Sequence, residues 1–219
     1  MLPMSPVVQN VSRGELGREC FACEGGTIPA MPLRDILADR PRVLFVGINP
    51  SLRSEQVGHH FAGPGNPFWR LLHEARIVPE ALSHLEDERL VEFGLALTNL
   101  CARATRSAAE LRADEMERGR KALARKIARV RPEVVAFVGI SIYRLFFGKG
   151  ASGGAGLKPE KIAGASVFVL PNPSGLNASF PGFKDKLIWF QQLREFIDSA
   201  GGETSLPQTG RKAKSTTAN

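Results

Sequence analysis

Four short stretches of the chain are apolar almost without interruption: Arg42–Ile48 (RVLFVGI), Leu95–Leu100 (LALTNL), Glu133–Gly139 (EVVAFVG) and Ala165–Leu170 (ASVFVL). Runs of this length that lack polar alternation fit strands covered on both faces, as in a parallel sheet. Between them the apolar positions recur with helical spacing. Phe68–Ala75 brings Phe68, Leu71, Leu72 and Ala75 to one face, and Ser107–Arg131 carries Leu111, Met116, Leu123, Ile127 and Val130 among charges. Ser141–Phe147 is short, and Phe183–Ser199 aligns Leu187, Phe190, Leu193 and Ile197. Alternation of strand and helix predicts an α/β sandwich built on a mostly parallel, four-stranded sheet.

The periodic part spans residues 33–200. Residues 1–32 carry Pro, Gly and Ser without periodicity and read as an irregular N-terminal extension. Residues 201–219 read as a disordered basic tail. No apolar run is long enough for a membrane span, and the N-terminus lacks the basic-then-apolar order of a secretory signal, so a cytoplasmic location is expected. The formal charge of +7 suits a polyanionic partner. Arg211, Lys212 and Lys214 of the tail supply part of it, which weakens that hint.

Sheets of this kind bind ligands beyond the carboxyl ends of their strands. The loop after the first strand (GINPSLRSEQVGHHFAGPGNPFW, Gly47–Trp69) and the loop after the last (LPNPSGLNASFPG, Leu170–Gly182) are therefore expected to converge on one edge. In the first, Pro50 biases Asn49 toward extended backbone, holding its amide in a fixed pose just past a strand end. Such an amide can orient a water, and it can equally bond its own turn. His59 and His60 suggest a metal, but neighbours in an extended segment point apart and no cysteine or acidic cluster completes a site. Cys20 and Cys23 form half a zinc motif without a second half. No metal or cofactor is expected. Phe61, in a polar loop, either stacks on a nucleobase or staples the loop to the domain. Leu176, among small polar residues, either wedges between bases or folds inward. A dinucleotide fingerprint and a P-loop are both missing.

Taken in order, GINPS (Gly47–Ser51), GHHFAGPGNPFW (Gly58–Trp69), LTNL (Leu97–Leu100) and LPNPSGLN (Leu170–Asn177) resemble the mismatch-specific uracil-DNA and thymine-DNA glycosylases of the uracil-DNA glycosylase superfamily, over roughly Leu33 to Ile197. The resemblance implies a three-layer α/β/α sandwich that hydrolyses the N-glycosidic bond of a base flipped out of DNA. It implies that Asn49 positions the attacking water and that Phe61 stacks on the flipped base. Backbone amides around Ile48 and Phe61–Ala62 are implied to hold the uracil carbonyls, where they stabilise charge developing on the leaving base. Asn99 occupies a position that varies among members, and Asn172 belongs to the pocket wall. Ser174, Gly175, Leu176 and Asn177 match the segment that fills the hole in the duplex, with Leu176 as wedge. Two departures stand out: Ser51 where glycine is commoner, and Ala178 where some members carry an arginine, which weakens the expected reading of the opposite guanine.

The implied partner is double-stranded DNA bearing uracil or mismatched or damaged bases, thymine among them, with single-stranded DNA open beside it, and a monomer is expected. The implied activity is that of a monofunctional glycosylase in base excision repair. The competing class is a non-catalytic DNA- or nucleotide-binding module of the same fold. Asn49 separates them, since binding alone has no use for a water-orienting amide.

Overall fold

The computed structural model describes residues 32–151, 153–174 and 179–202. Five strands form one sheet in the order β2-β1-β3-β5-β4. They are β1 (Val43–Gly47), β2 (Leu95–Asn99), β3 (Val134–Val138), β4 (Gly156–Ile162) and β5 (Ala165–Leu170). All pairings are parallel except β4 with β5.

The unbroken apolar runs divide their side chains between two cores, as the period of two requires. Val43 and Phe45 face one side with Leu95, Leu97, Ala136 and Phe168, while Leu44 and Val46 face the other with Ala96, Phe137 and Val167. Helices α2 (Phe68–Glu74) and α5 (Phe183–Gly202) cover the first face through Phe68, Leu71, Phe190 and Leu193. Helices α3 (Ala113–Val130) and α4 (Ile140–Phe147) cover the second through Leu123, Ile127, Ile142 and Tyr143. The result is the expected three-layer α/β/α sandwich.

Three elements differ from the sequence reading. The strand beyond the predicted four, β4, alternates buried and exposed positions and contains Pro159, as only an edge strand tolerates. It joins β5 through Ala163-Gly164, both at positive φ (49° and 90°), the backbone of a two-residue hairpin. The loop after β1 contains a short helix, α1 (Leu52–Val57), capped by Ser51, whose Oγ accepts from the Ser54 amide at 3.1 Å. The departure at Ser51 thus has a structural use as a helix cap. Finally, the predicted Ser107–Arg131 helix is a 3₁₀ turn (Ala108–Glu110) followed by α3, with Leu111 buried between them.

Within α3, Gly119 faces the end of β2. A Cβ there would lie 2.3 Å from the Leu100 carbonyl oxygen and 3.2 Å from Cys101 Sγ. Alanine is normally the better helix former by about 1 kcal/mol. Here Gly119→Ala is expected to destabilise by about 1–3 kcal/mol through overpacking against a backbone that cannot swing away. Chemical denaturation checks the sign, and a gain in stability would contradict it.

Candidate active site

β1 and β3 are neighbours whose following helices, α2 and α4, lie on opposite faces of the sheet. This is where an open α/β sheet forms a crevice. A cleft of about 630 Å³ opens there, at the carboxyl ends of the parallel strands. Its wall includes Ile48 and Asn49 after β1, Phe61 further along that loop, Asn99 ending β2, Gly139 and Ser141 after β3, and Asn172 and Ser174 after β5. The two loops expected to converge do so. Gly175, Leu176, Asn177 and Ala178 lie outside the described residues, as do Cys20 and Cys23.

Asn49 is held by the segment that follows β2. Its Nδ2 lies 2.7 Å from Thr105 Oγ1, 2.9 Å from the Arg103 carbonyl and 3.1 Å from the Pro50 carbonyl. Carbonyls only accept, so the amide must turn its nitrogen toward them. Thr105 is an acceptor too, because its own hydroxyl donates to the Ser107 carbonyl at 2.8 Å. Asn49 Oδ1 is therefore the pole left over, and no donor among the described residues reaches it. An amide oxygen fixed in this way can accept from a water and aim it.

The platform under Asn49 is itself braced. The Thr105 amide donates to the Pro50 carbonyl at 3.2 Å. Arg103 grips Glu115 of α3 through Nε (2.7 Å) and Nη2 (2.9 Å), and also donates to the Glu110 carbonyl at 2.8 Å. The Arg103 guanidinium, helped by the Arg112 amide, holds the Glu115 carboxyl at about 2. The pair is intact across the neutral range. Thr105 was absent from the sequence reading. The signal that could have found it is weak: a buried polar residue (4% exposed) shortly after a strand end. Thr105→Val keeps the shape and removes the acceptor. For the base-releasing hydrolysis that the sequence resemblance implies, the single-turnover rate is expected to fall about tenfold or more, while Thr105→Ser stays near wild type. Equal rates for the two variants would deny the hydroxyl this role.

Phe61 takes an αL backbone (φ 51°), uncommon for a bulky residue. Its ring stacks on Phe68 at 3.9 Å between centroids and 19° between planes. Phe68 is fully buried, whereas Phe61 is only half-buried and lines the cleft. The sequence left two roles open, staple or stacking platform. One ring can fill both, its face against Phe68 fixing the loop and its cleft side remaining available.

Asn99 and Gly47 are register partners across β1 and β2. A Cβ on Gly47 would lie 2.4 Å from Asn99 Oδ1 and 3.8 Å from Phe61 Cζ, so the absent side chain leaves the space that Asn99 occupies. The strand before Asn99 is pinned by Thr98 Oγ1, which donates to Asp35 at 2.5 Å and accepts from Lys126 Nζ at 2.6 Å. Asn172 Oδ1 accepts from the Ser174 amide at 2.9 Å, forming a tight turn at the cleft wall.

Ala62 differs from expectation. It is buried, and its amide donates to Ser54 Oγ at 3.2 Å rather than pointing into the cleft. In this structure it closes the loop and is not a free donor for a base. His59 and His60 do not converge. His59 Nδ1 meets Asp87, and His60 Nε2 donates to the Arg34 carbonyl at 2.8 Å. Burial pushes the His60 imidazole below the usual histidine range, against the Arg34 carbonyl and the Asp87 charge, which pull it up. Among the described residues, no group of three or more His, Cys, Asp or Glu is placed to hold a metal ion, and no helix is long and apolar enough to cross a membrane.

Known proteins resemble this chain in sequence and in fold. The G/U mismatch-specific uracil DNA glycosylase of Schizosaccharomyces pombe (strain 972 / ATCC 24843) is 36% identical over 164 residues, covering 71% of this chain and 50% of the relative. The chain thus spans about half the length of that curated relative. The fold is shared with the solution NMR structure of a candidate uracil DNA glycosylase from Methanosarcina acetivorans, at a TM-score of 0.51 and 19% identity, covering 75% of this chain and 98% of that one. The family signature described as the Uracil DNA glycosylase superfamily matches residues 35–194, most of the folded region, and the chain belongs to that superfamily.

Proposed function

We propose that the protein is a monofunctional DNA glycosylase that removes uracil from G:U mismatches in double-stranded DNA, acting in base excision repair. The observation that carries this reading is the locked Asn49 amide, whose nitrogen is fully engaged and whose oxygen is left over beside the cleft. The flipped nucleotide enters with its base against Phe61. Asn49 Oδ1 accepts a hydrogen bond from a water and directs its oxygen at C1′ of the sugar. As the C1′–N1 bond breaks, its electron pair leaves on the uracil ring and the water oxygen bonds C1′. The proton the water sheds passes to solvent or to the departing uracil anion, leaving an abasic sugar and free uracil. Backbone donors near Ile48 would stabilise that anion. Asn99 and Asn172, on the cleft wall, supply amide groups for the base edge.

The test is incubation of the protein with duplexes carrying a single uracil opposite guanine or adenine, and with the single strand, followed by alkaline cleavage of abasic sites. Cleavage of the G:U duplex is expected. Tight binding without strand scission would favour a non-catalytic module instead. The segment from Ser174 to Asn177 is proposed to fill the vacated stack, with Leu176 as wedge. A stably paired base loses more on flipping than a mismatched one. Leu176→Ala is therefore expected to slow cleavage of A:U duplex by about tenfold while leaving single-stranded substrate nearly unaffected. Equal losses on both substrates would place Leu176 in the pocket or the core.

A further inference from the structure

We propose that Asp87 is a positioning residue for the reaction: through His59 and His60 it sets the placement of Phe61, and with it the surface on which the flipped base is stacked. The inference rests on the stacking role given to Phe61 above.

Asp87 lies in the 3₁₀ helix His84–Phe93, outside every motif that marks the cleft. It is 2% exposed. A buried carboxylate is costly unless its oxygens are satisfied. Both oxygens are spent on consecutive residues of the loop after β1. Oδ1 lies 2.9 Å from His59 Nδ1, and Oδ2 accepts from the His60 amide at 2.8 Å. Because a carboxylate only accepts, His59 Nδ1 must carry a proton, and the neutral Nδ1–H tautomer suffices.

The grip continues into His60, which is also 2% exposed. Its ring is tied to the Arg34 carbonyl, and its own carbonyl accepts from Trp69 Nε1 at 3.3 Å. Phe61 comes next, with its left-handed backbone, and then Ala62, whose amide is held by Ser54. The peptide of Phe61 is thus clamped from both sides. Stacking on Phe68 fixes the distance between the rings but not their lateral offset, because stacked rings slide easily. The clamp supplies the missing constraint. A bulky residue at positive φ (51°) runs against its own backbone preference, so the conformation needs such an external hold. The paired histidines, which make no metal site, gain their use here.

The experiment combines a double-mutant cycle with a local probe. Single-turnover cleavage of a G:U duplex is measured well below the melting temperature for wild type, Asp87→Asn, Asp87→Ala, Phe61→Ala and the Asp87→Asn/Phe61→Ala double variant. Asparagine can still accept from the His60 amide but loses the charge-assisted strength. The expected losses are about tenfold for Asp87→Asn and about 100-fold for Asp87→Ala. In the Phe61→Ala background, Asp87→Asn is expected to add less than about twofold, because the residue it positions is gone. The chain has two tryptophans, Trp69 and Trp189. In a nitrogen–proton spectrum the Trp69 indole signal, identified by Trp189→Phe, should shift in Asp87→Asn while that of Trp189 stays in place.

If the Asp87 and Phe61 losses multiply independently, or if Asp87→Asn cleaves like wild type with the Trp69 signal unmoved, the inference is overturned. If Asp87→Asn shifts both indole signals, the residue is a general structural support and the inference likewise fails. Wild-type cleavage by Phe61→Ala would instead sink the stacking reading itself, which the cycle reports separately.

Discussion

Asn49→Ala is expected to lower single-turnover cleavage of a G:U duplex by about 10³-fold, on the order of 4 kcal/mol in activation free energy. Duplex affinity should change by less than about threefold, because phosphate contacts supply most DNA-binding energy. The variant removes the oxygen that would aim the water and leaves Phe61, Asn99 and the cleft wall in place. Asn49→Asp sharpens the argument. A carboxylate is a stronger base than an amide, so a simple need for a base predicts rescue. The structure predicts the opposite, because one carboxylate oxygen would face the Arg103 carbonyl and the Thr105 oxygen where Nδ2 now donates. Like poles would push the side chain out of its seat. Asn49→Asp is therefore expected to be no faster than Asn49→Ala at neutral pH and to melt at a lower temperature. Near-wild-type cleavage by Asn49→Ala would remove Asn49 from the chemistry.

Gly47→Ala is expected to reduce the same rate by about 100-fold, through a displacement on the scale of an ångström at the cleft wall. The added Cβ would meet Asn99 Oδ1 at 2.4 Å, and Phe61 Cζ closes the other side at 3.8 Å. The strand itself has little room to yield, since Gly47 sits between β2 and the loop after β1, with its carbonyl bonded to the Leu100 amide at 2.8 Å. The Asn99 amide must therefore turn. Overpacking of this kind costs about 1–3 kcal/mol of stability. Pairing Gly47→Ala with Asn99→Gly relieves the collision. The double variant should recover the melting temperature but not the rate if Asn99 contributes to holding the base. Full recovery of both would make Asn99 a bystander. A wild-type rate in Gly47→Ala alone would mean that the space beside Asn99 has no bearing on substrate.

Much of the architecture was legible in the chain because it depends on local chemistry. The four parallel strands declare themselves as unbroken apolar runs, since both faces of each are covered. The stripes Leu123-Ile127-Val130 and Phe190-Leu193-Ile197 follow the helical period because one side of each helix meets the sheet. β4 was not legible. An edge strand with one neighbour needs no apolar run, and its hairpin uses Ala163-Gly164 where asparagine-glycine is the commoner signal. Helix α1 was hidden for a related reason: its only buried residue is the polar Ser54, so it has no apolar stripe to read.

The same division runs through the site. Residue types and their order along the chain determined the family resemblance, the placement of Asn49, Asn99 and Asn172 at strand ends and of Phe61 in the loop after the first strand, and the lack of phosphate-binding and complete metal motifs. The sequence could not decide how Asn49 is oriented, because that depends on oxygens at Arg103 and Thr105, more than fifty residues away. It left Phe61 as either staple or platform, because only the tertiary structure sets which face of the ring meets Phe68. It placed Ala62 among the donors to the base, because nothing local reveals that Ser54 already holds its amide. It passed over Asp87 altogether, one acid in a charged stretch whose importance comes from being buried against a loop far away in sequence. Motif residues carry their chemistry in their side chains and can be recognised one by one. The residues that orient them act through hydrogen bonds between distant segments, and those partners are chosen only when the chain folds.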